Sequence, residues 1–324
     1  MNTKKISVLV AAFNVENTIS QTINSILDQS YKNIEIIVIN DGSRDNTENV
    51  LKTFGDKITV ITTQNSGLGA TRNLGLKMAS GDYIMFIDGD DYLTYNNGIS
   101  DFVNCAEKDL ADLVVADFNY VDEDGNTISK RSVNSTIESM YSGAWNKLYS
   151  KSLWKGVQFP ENILYEDAGV VMSIALSANR ITVLHKPVYA YRQSKKTITQ
   201  SLNSVERHLD SIKSIEPYTH KIIESKKDCA KSAVRYINHL MLGHLIVVKT
   251  EYVKSDQQIA VVKEIVKYME SPLLRNQGFS KNIFNDSIQK LLFWTLKTNN
   301  IKFVMDVLLK NASNVRNRRR NKRV

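Results

Sequence analysis

ISVLVAAFNVENTISQTINSILDQSYKNIEIIVINDGS, residues 6–43, sets two β-branched apolar runs on either side of a stretch with helical spacing. The runs ISVLVAA (6–12) and IEIIVIN (34–40) are apolar at consecutive positions, as expected of strands buried on both faces. Between them, residues 16–29 have the length of a crossover helix, so the two strands are expected side by side and parallel. The unit repeats outward. Residues 57–62 (KITVIT), 82–87 (DYIMFI) and 112–116 (DLVVA) read as further strands, and 44–53, 68–79 and 97–109 as the helices between them. An open, mainly parallel α/β sheet flanked by helices follows. In such sheets ligands bind beyond the carboxyl ends of the strands.

Those ends are polar: Phe13-Asn14 after the first run, Asp41-Gly42-Ser43 after the second, Gln64 to Gly67 after the third and Asp88-Gly89-Asp90-Asp91 after the fourth. Asp88 and Asp90, one residue apart on a turn, suit a hard divalent cation, Mn²⁺ or Mg²⁺, with positions left open for phosphate oxygens. The plainer alternative is a solvated turn. Crowded carboxylates also raise one another's pKa unless a cation arrives. Asp41 suits a base-ring N–H, although a cap on the helix after it is the plainer local reading. The loop holding Asn65 and Gly67 opens a helix that carries Arg72, a guanidinium within reach of a diphosphate or a neighbouring carboxylate; a surface arginine is the bland reading. Neither a phosphate-binding Walker loop nor an intact dinucleotide fingerprint is present.

Glu166-Asp167 precedes a helical run. Asp167 there reads as a proton acceptor kept ionised by the helix dipole, or as a capping acid. Trp145-Asn146-Lys147 joins an aromatic platform to an amide and a cation, suited to sugar stacking and phosphate pairing, although core packing explains Trp145 as well. In Tyr189-Ala190-Tyr191-Arg192 the alternation of a strand puts both tyrosines on one face and Arg192 on the other, facing a leaving diphosphate or simply solvent.

Beyond residue 117 a hairpin is expected around Asp122 to Gly125, with strands at 181–185 and 187–192. From 204 onward the chain reads as helical. The expected organisation is therefore 1–117 and 118–203 as two halves of one α/β domain, and 204–324 as a helical region. No apolar run approaches the ~20 residues of a spanning helix, and no secretory leader is visible, so a cytoplasmic setting is expected. Two separated cysteines agree with a reducing compartment. The net charge of +8 is concentrated at the end, where residues 311–324 hold six basic side chains and no acid. The body is near neutral, which argues against nucleic acid as a partner. Apolar positions Ile288, Leu291, Leu292, Ile301, Val304, Met305 and Leu308 form helical faces expected to pack on the domain or on a second subunit. With the basic tail they also suit docking on an anionic inner membrane surface.

Taken together, these segments resemble a family 2 glycosyltransferase of the GT-A (Rossmann-like) fold. The order and spacing of residues 6–47 and 64–93 carry the resemblance. WNKLY, Glu166-Asp167 and YAYR extend it to about residue 200. It implies that Ala12, Phe13, Asn14, Glu16, Asp41 and Gly89 line the site of a nucleotide-sugar, usually UDP-linked, and that Asp88 and Asp90 form the D-x-D motif with Asp90 nearest the metal. It further implies that Asp167 is the base of an inverting hexosyl or N-acetylhexosaminyl transfer to a glycan or lipid-linked acceptor in cell-surface polysaccharide synthesis, with Arg192 at the leaving group. Ala12 stands where a proline is usual, and Tyr191 where some members offer a metal-binding histidine. A sugar nucleotidyltransferase, which would release pyrophosphate, and an inactive binding module are the rival readings.

Overall fold

The computed structural model describes residues 3–137, 140–193, 204–225, 227–251, 256–271 and 274. The expected helices at 288–308 and the basic tail lie outside these residues. The chain divides into a unit from Met1 to Cys229 and a second from Ala230 to Val324.

The first unit is built on a nine-stranded sheet: β1 (Ile6–Ala12), β2 (Ile34–Asn40), β3 (Thr59–Thr62), β4 (Tyr83–Asp88), β5 (Tyr92–Leu93), β6 (Leu113–Val121), β7 (Thr127–Arg131), β8 (Lys147–Ser150) and β9 (Ile181–Arg192). The order is β3-β2-β1-β4-β8-β6-β9-β5, with β7 pairing β6. β3, β2, β1 and β4 are parallel, as expected of strands joined by helices. β8 runs antiparallel to both β4 and β6, and β6 and β9 are again parallel.

The helices are α1 (Ile19–Leu27), α2 (Thr47–Lys52), α3 (Leu68–Met78), α4 (Gly98–Asp109), α5 (Glu166–Ser177) and α6 (Asp210–Ser225). α1 buries Ile19, Thr22, Ile23 and Ile26, the i, i+3, i+4, i+7 stripe of a helix with one face on a sheet. It begins later than its pattern because residues 15–18 form a turn, with the Thr18 and Ile19 amides both donating to the Val15 carbonyl. β3 is shorter than read, since Gly55–Lys57 close into a 3-10 turn and the strand is an exposed edge. The two strands expected at 181–185 and 187–192 are one. Its register against β6 jumps from Ala116↔Leu184 to Asp117↔Pro187, so His185 and Lys186 bulge out where Pro187 has no N–H to donate. The expected hairpin at Asp122 is present between β6 and β7.

In the second unit, α7 (Lys227–Glu251, which begins just before the boundary) and α8 (Asp256–Met269) are helical as read. Val234, Ile237, Met241 and Leu245 of α7 and Val261, Ile265 and Met269 of α8 are buried. No helix among the described residues is long and apolar enough to cross a membrane.

At the amino-terminal rim of the sheet, Glu35 accepts hydrogen bonds from the Ser80 amide (2.7 Å) and from the Ser7 hydroxyl, and pairs with Lys5 (2.8 Å). Burial pushes its carboxyl up, but the bonds from Lys5, Ser7 and Ser80 outweigh that and hold it at about 2. A carboxyl lowered on folding stabilises above its unfolded pKa of 4.5, and the contribution is lost as pH falls toward 2. Glu35→Gln is expected to lower the unfolding free energy by about 1–2 kcal/mol at pH 7 and by less at pH 3. Urea titrations at the two pH values check this; equal losses at both would contradict it.

Candidate functional site

Register places the polar strand ends together. Ala12 pairs with Asn40, Asn40 with Thr62, and Ala11 with Asp88, so β1, β2, β3 and β4 end at one rim. The loops beyond them are stitched to one another. The Asn14 amide donates to Ser43 Oγ (3.0 Å), and Asn14 Oδ1 accepts from the Arg44 amide (2.8 Å). Glu16 accepts from the Asn46 amide (2.7 Å). Phe13 is left 37% exposed, enough for its ring to meet a planar base.

Asp41 is buried and does not cap α2. Its carboxylate accepts from the Ser66 amide (2.7 Å) and the Gly67 amide (2.9 Å), drawing the loop after β3 onto the end of β2. Gly42 permits the approach. It sits at φ +68°, and a Cβ there would lie 2.7 Å from the Asn65 nitrogen. Asn65 itself is exposed at the loop tip.

Asp88, Asp90 and Asp91 separate into distinct environments. Asp91 is buried, accepting from the Tyr189 hydroxyl (2.7 Å) and the Arg192 amide (2.8 Å). Burial pushes its carboxyl well up, with Asp90 and Asp88 adding to the effect. Asp90 is half-buried, and its carboxyl rises to about 6 through burial and then through Asp88. The expected mutual elevation is therefore seen at Asp90 and Asp91. Asp88, part-exposed, pairs with Arg72 Nη2 at 2.9 Å.

Arg72 is no surface arginine. It is 3% exposed, bridges Asp88 to Glu166, and lies over the Phe159 ring at 5.4 Å. The next residue on α3, Asn73, closes a two-way bond with the backbone of Phe159 (2.8 and 2.9 Å). Gly69, one turn earlier, lets the carbonyl of Pro160 come so close that a Cβ would stand 2.1 Å from it. α3 thereby fixes the segment that leads into α5. That segment is bent sharply, with Asn162 and Tyr165 both at φ +59°. Arg72→Met would leave two carboxylates without their cation and is expected to cost about 3 kcal/mol, the range for breaking a buried pair. A urea midpoint equivalent to less than about 0.5 kcal/mol of loss would contradict the bridge.

Asp167 follows Glu166 in the first turn of α5. The helix dipole does not keep it at an ordinary carboxylate pKa: burial raises it, against the pull of Arg72 and Lys147, and Asp88 raises it further. Glu166 is raised likewise, chiefly by burial, although Arg72 opposes.

Three expected ligand contacts meet side chains already engaged. Lys147 is fully buried, its ammonium donating to the carbonyls of Tyr141 (2.8 Å) and Gly143 (2.6 Å) and to Asn146 Oδ1 (2.6 Å). All three protons are taken, so none remains for a phosphate. Burial brings its pKa down to about 7. Trp145 is 4% exposed and stacks on Tyr189 and Tyr191, making it a backing rather than an open platform. Arg192 is neither at the surface nor open to a diphosphate. It is 5% exposed and donates to the Asp90 carbonyl (2.8 Å), the Glu123 carbonyl (2.5 Å) and Gln21 Oε1 (2.6 Å). It holds the acidic loop to β9 and to the β6–β7 hairpin.

The hard oxygen donors of Asp88 and Asp90, with Asp90 elevated by burial and then by Asp88, fit a divalent cation. Among the described residues no group of three or more His, Cys, Asp or Glu side chains converges as a metal cage. A two-carboxylate site that leaves the remaining ligands to phosphate and water matches Mg²⁺-type binding.

A mixed, mainly parallel sheet flanked by helices, with an acidic loop at the carboxyl rim, defines an α/β protein of the GT-A type. Residues 7–165 match the model of the Glycosyl transferase family 2, and the chain carries a domain of that family. The glycosyltransferase GlyA of Streptococcus pneumoniae serotype 4 is 32% identical over 224 residues, 60% of this chain and 32% of that protein. EpsH of Bacillus subtilis strain 168 is 30% identical over 222 residues, 62% of this chain and 64% of that protein. The chain thus spans about a third of GlyA and just under two thirds of EpsH. Among solved structures, S. aureus TarS 1–349 in complex with UDP-GlcNAc superposes with a TM-score of 0.69 over 81% of each chain at 23% identity, a likeness of fold.

Proposed function

We propose that the chain is an inverting glycosyltransferase that moves a sugar from a nucleoside diphosphate, UDP by preference, to a hydroxyl of a glycan acceptor. The observation that carries it is the junction at Arg72, which joins the acidic loop after β4 to the helix start that presents Asp167. Donor-side and acceptor-side groups are thus held by one buried cation. Relatives named as glycosyltransferases support the reaction class, and the UDP-GlcNAc of the TarS complex supports the donor class.

In this reading Phe13 and the stitched loops of Asn14, Glu16 and Asp41 receive the nucleotide. Asp88 and Asp90 would hold Mn²⁺ or Mg²⁺, which would offset the diphosphate's negative charge and make it a better leaving group. Asp167 accepts the proton of the acceptor hydroxyl as that oxygen attacks the anomeric carbon and the bond from that carbon to the diphosphate oxygen breaks, a task helped by a carboxyl that burial raises above the ordinary aspartate value. Arg192 and Asp91 orient the acidic loop rather than touch the leaving group.

The test is to supply purified protein with a panel of UDP-sugars and Mn²⁺ and to follow UDP release. Metal-dependent UDP release from one donor is the expected result. Pyrophosphate from a nucleoside triphosphate and a sugar phosphate would assign a nucleotidyltransferase instead, and neither product would leave a binding module.

A further inference from the structure

Tyr120, Tyr141 and Tyr191 form one aromatic cluster. Tyr120 on β6 and Tyr191 on β9 are opposite one another in the parallel register, with ring centroids 5.8 Å apart. Tyr141, from the segment before β8, lies 6.5 Å from Tyr191. Trp145 backs the group, 5.0 Å from Tyr141 and stacked on Tyr191 at 4.8 Å. All three tyrosines are half-buried, whereas Tyr189, two residues back on the same strand face, is buried and commits its hydroxyl to Asp91. The Ala144 amide, three residues after Tyr141, donates to the Asp167 carboxylate, and the Arg192 amide, next to Tyr191, donates to Asp91. Tyr141 is thus tied through its own segment to the base, and Tyr191 through its own strand to the acidic loop.

An acceptor hydroxyl must enter between those two groups, and the chemistry of the wall says what can bring it. Aromatic faces pack against the C–H face of a pyranose, while phenols bond to its ring hydroxyls. An anionic acceptor would meet Asp88, Asp90 and Asp167. The cationic side chains described at the site, Arg72, Lys147 and Arg192, are buried and engaged with protein groups.

We propose that Tyr120, Tyr141 and Tyr191 form the acceptor subsite, and that the acceptor enters as an uncharged pyranose ring stacked on this wall with its nucleophilic hydroxyl turned to Asp167. The proposal rests on the glycosyltransferase reading above.

The experiment takes the full chain with Mn²⁺ and the UDP-sugar it hydrolyses, and adds methyl pyranosides in one arm and glycerol 3-phosphate or ribitol 5-phosphate in the other. A methyl pyranoside is expected to raise UDP release by about tenfold over water, and saturation-transfer NMR on the UDP-bound protein is expected to mark the protons of one ring face. Tyr141→Ala is expected to raise the acceptor KM by about tenfold with donor KM within about twofold, and Tyr141→Phe by less. Tyr120→Ala serves as the second variant should circular dichroism show Tyr141→Ala unfolded. Stimulation by the polyol phosphates alone, or an acceptor KM unmoved in a folded alanine variant, would overturn the subsite. Failure of the unsubstituted protein to hydrolyse any donor would instead sink the glycosyltransferase reading, and the subsite with it.

Discussion

Asp167→Asn is expected to lower kcat for sugar transfer by about a thousandfold while donor KM moves by less than about twofold, the pattern of a group that acts only in the transition state. Asparagine keeps the size and hydrogen-bonding reach of the side chain but cannot take a proton. The change should spare the fold, because the buried ion pair in this turn belongs to Glu166 and Arg72. The pH profile gives a second readout. Burial, opposed by Arg72 and reinforced by Asp88, raises the Asp167 carboxyl. A base works deprotonated, so kcat/KM should fall as pH drops through a pKa above 3.8, the ordinary aspartate value. Steady-state kinetics across pH 4–8 measure both; a kcat within about threefold of the unsubstituted enzyme would remove Asp167 from the mechanism.

Asp90→Asn carries the second large effect, a loss in kcat/KM of about a thousandfold or more together with weakened Mn²⁺ binding. Stability should move the other way. Burial and Asp88 lift the Asp90 carboxyl to about 6, so its ionised form is disfavoured by folding, a cost that sets in above 3.8 and is complete above about 6. Without divalent cation, the Asn variant should unfold at the same temperature or higher. Added Mn²⁺ should raise the Tm of the original protein and leave that of the variant unmoved. Equal stabilisation of both would place the cation elsewhere. Asp88→Asn should lose activity as well, but at a cost in stability, because it breaks the pair with Arg72.

The parallel half of the sheet was legible because its strands are apolar at consecutive positions, a pattern that local composition carries by itself. So was the convergence of the loops, which follows from parallel strands ending in register. The charged side chains were harder. For Arg72 a neighbouring carboxylate was one option in the sequence, but for both Arg72 and Arg192 a surface position stood open locally, since their burial depends on partners 94 and 171 positions away, Glu166 and Gln21. Lys147 read as a phosphate ligand because nothing in WNKLY says that its ammonium turns into the carbonyls of Tyr141 and Gly143. The alternation of YAYR did place Tyr189 and Tyr191 on one face. What it left hidden was that Tyr189 reaches Asp91 while Tyr191 stays at the rim, a difference set by strand depth rather than by spacing.

The acidic loop is tethered from behind at three points: Tyr189 to Asp91, the Arg192 amide to Asp91, and the Arg192 guanidinium to the Asp90 carbonyl. Ordering a free loop of this kind on ligand arrival would consume about 1–2 kcal/mol of entropy per residue. Here that ordering accompanies chain folding, long before any substrate is met, so the heat and entropy of donor association should reflect desolvation and ion pairing with little contribution from backbone freezing.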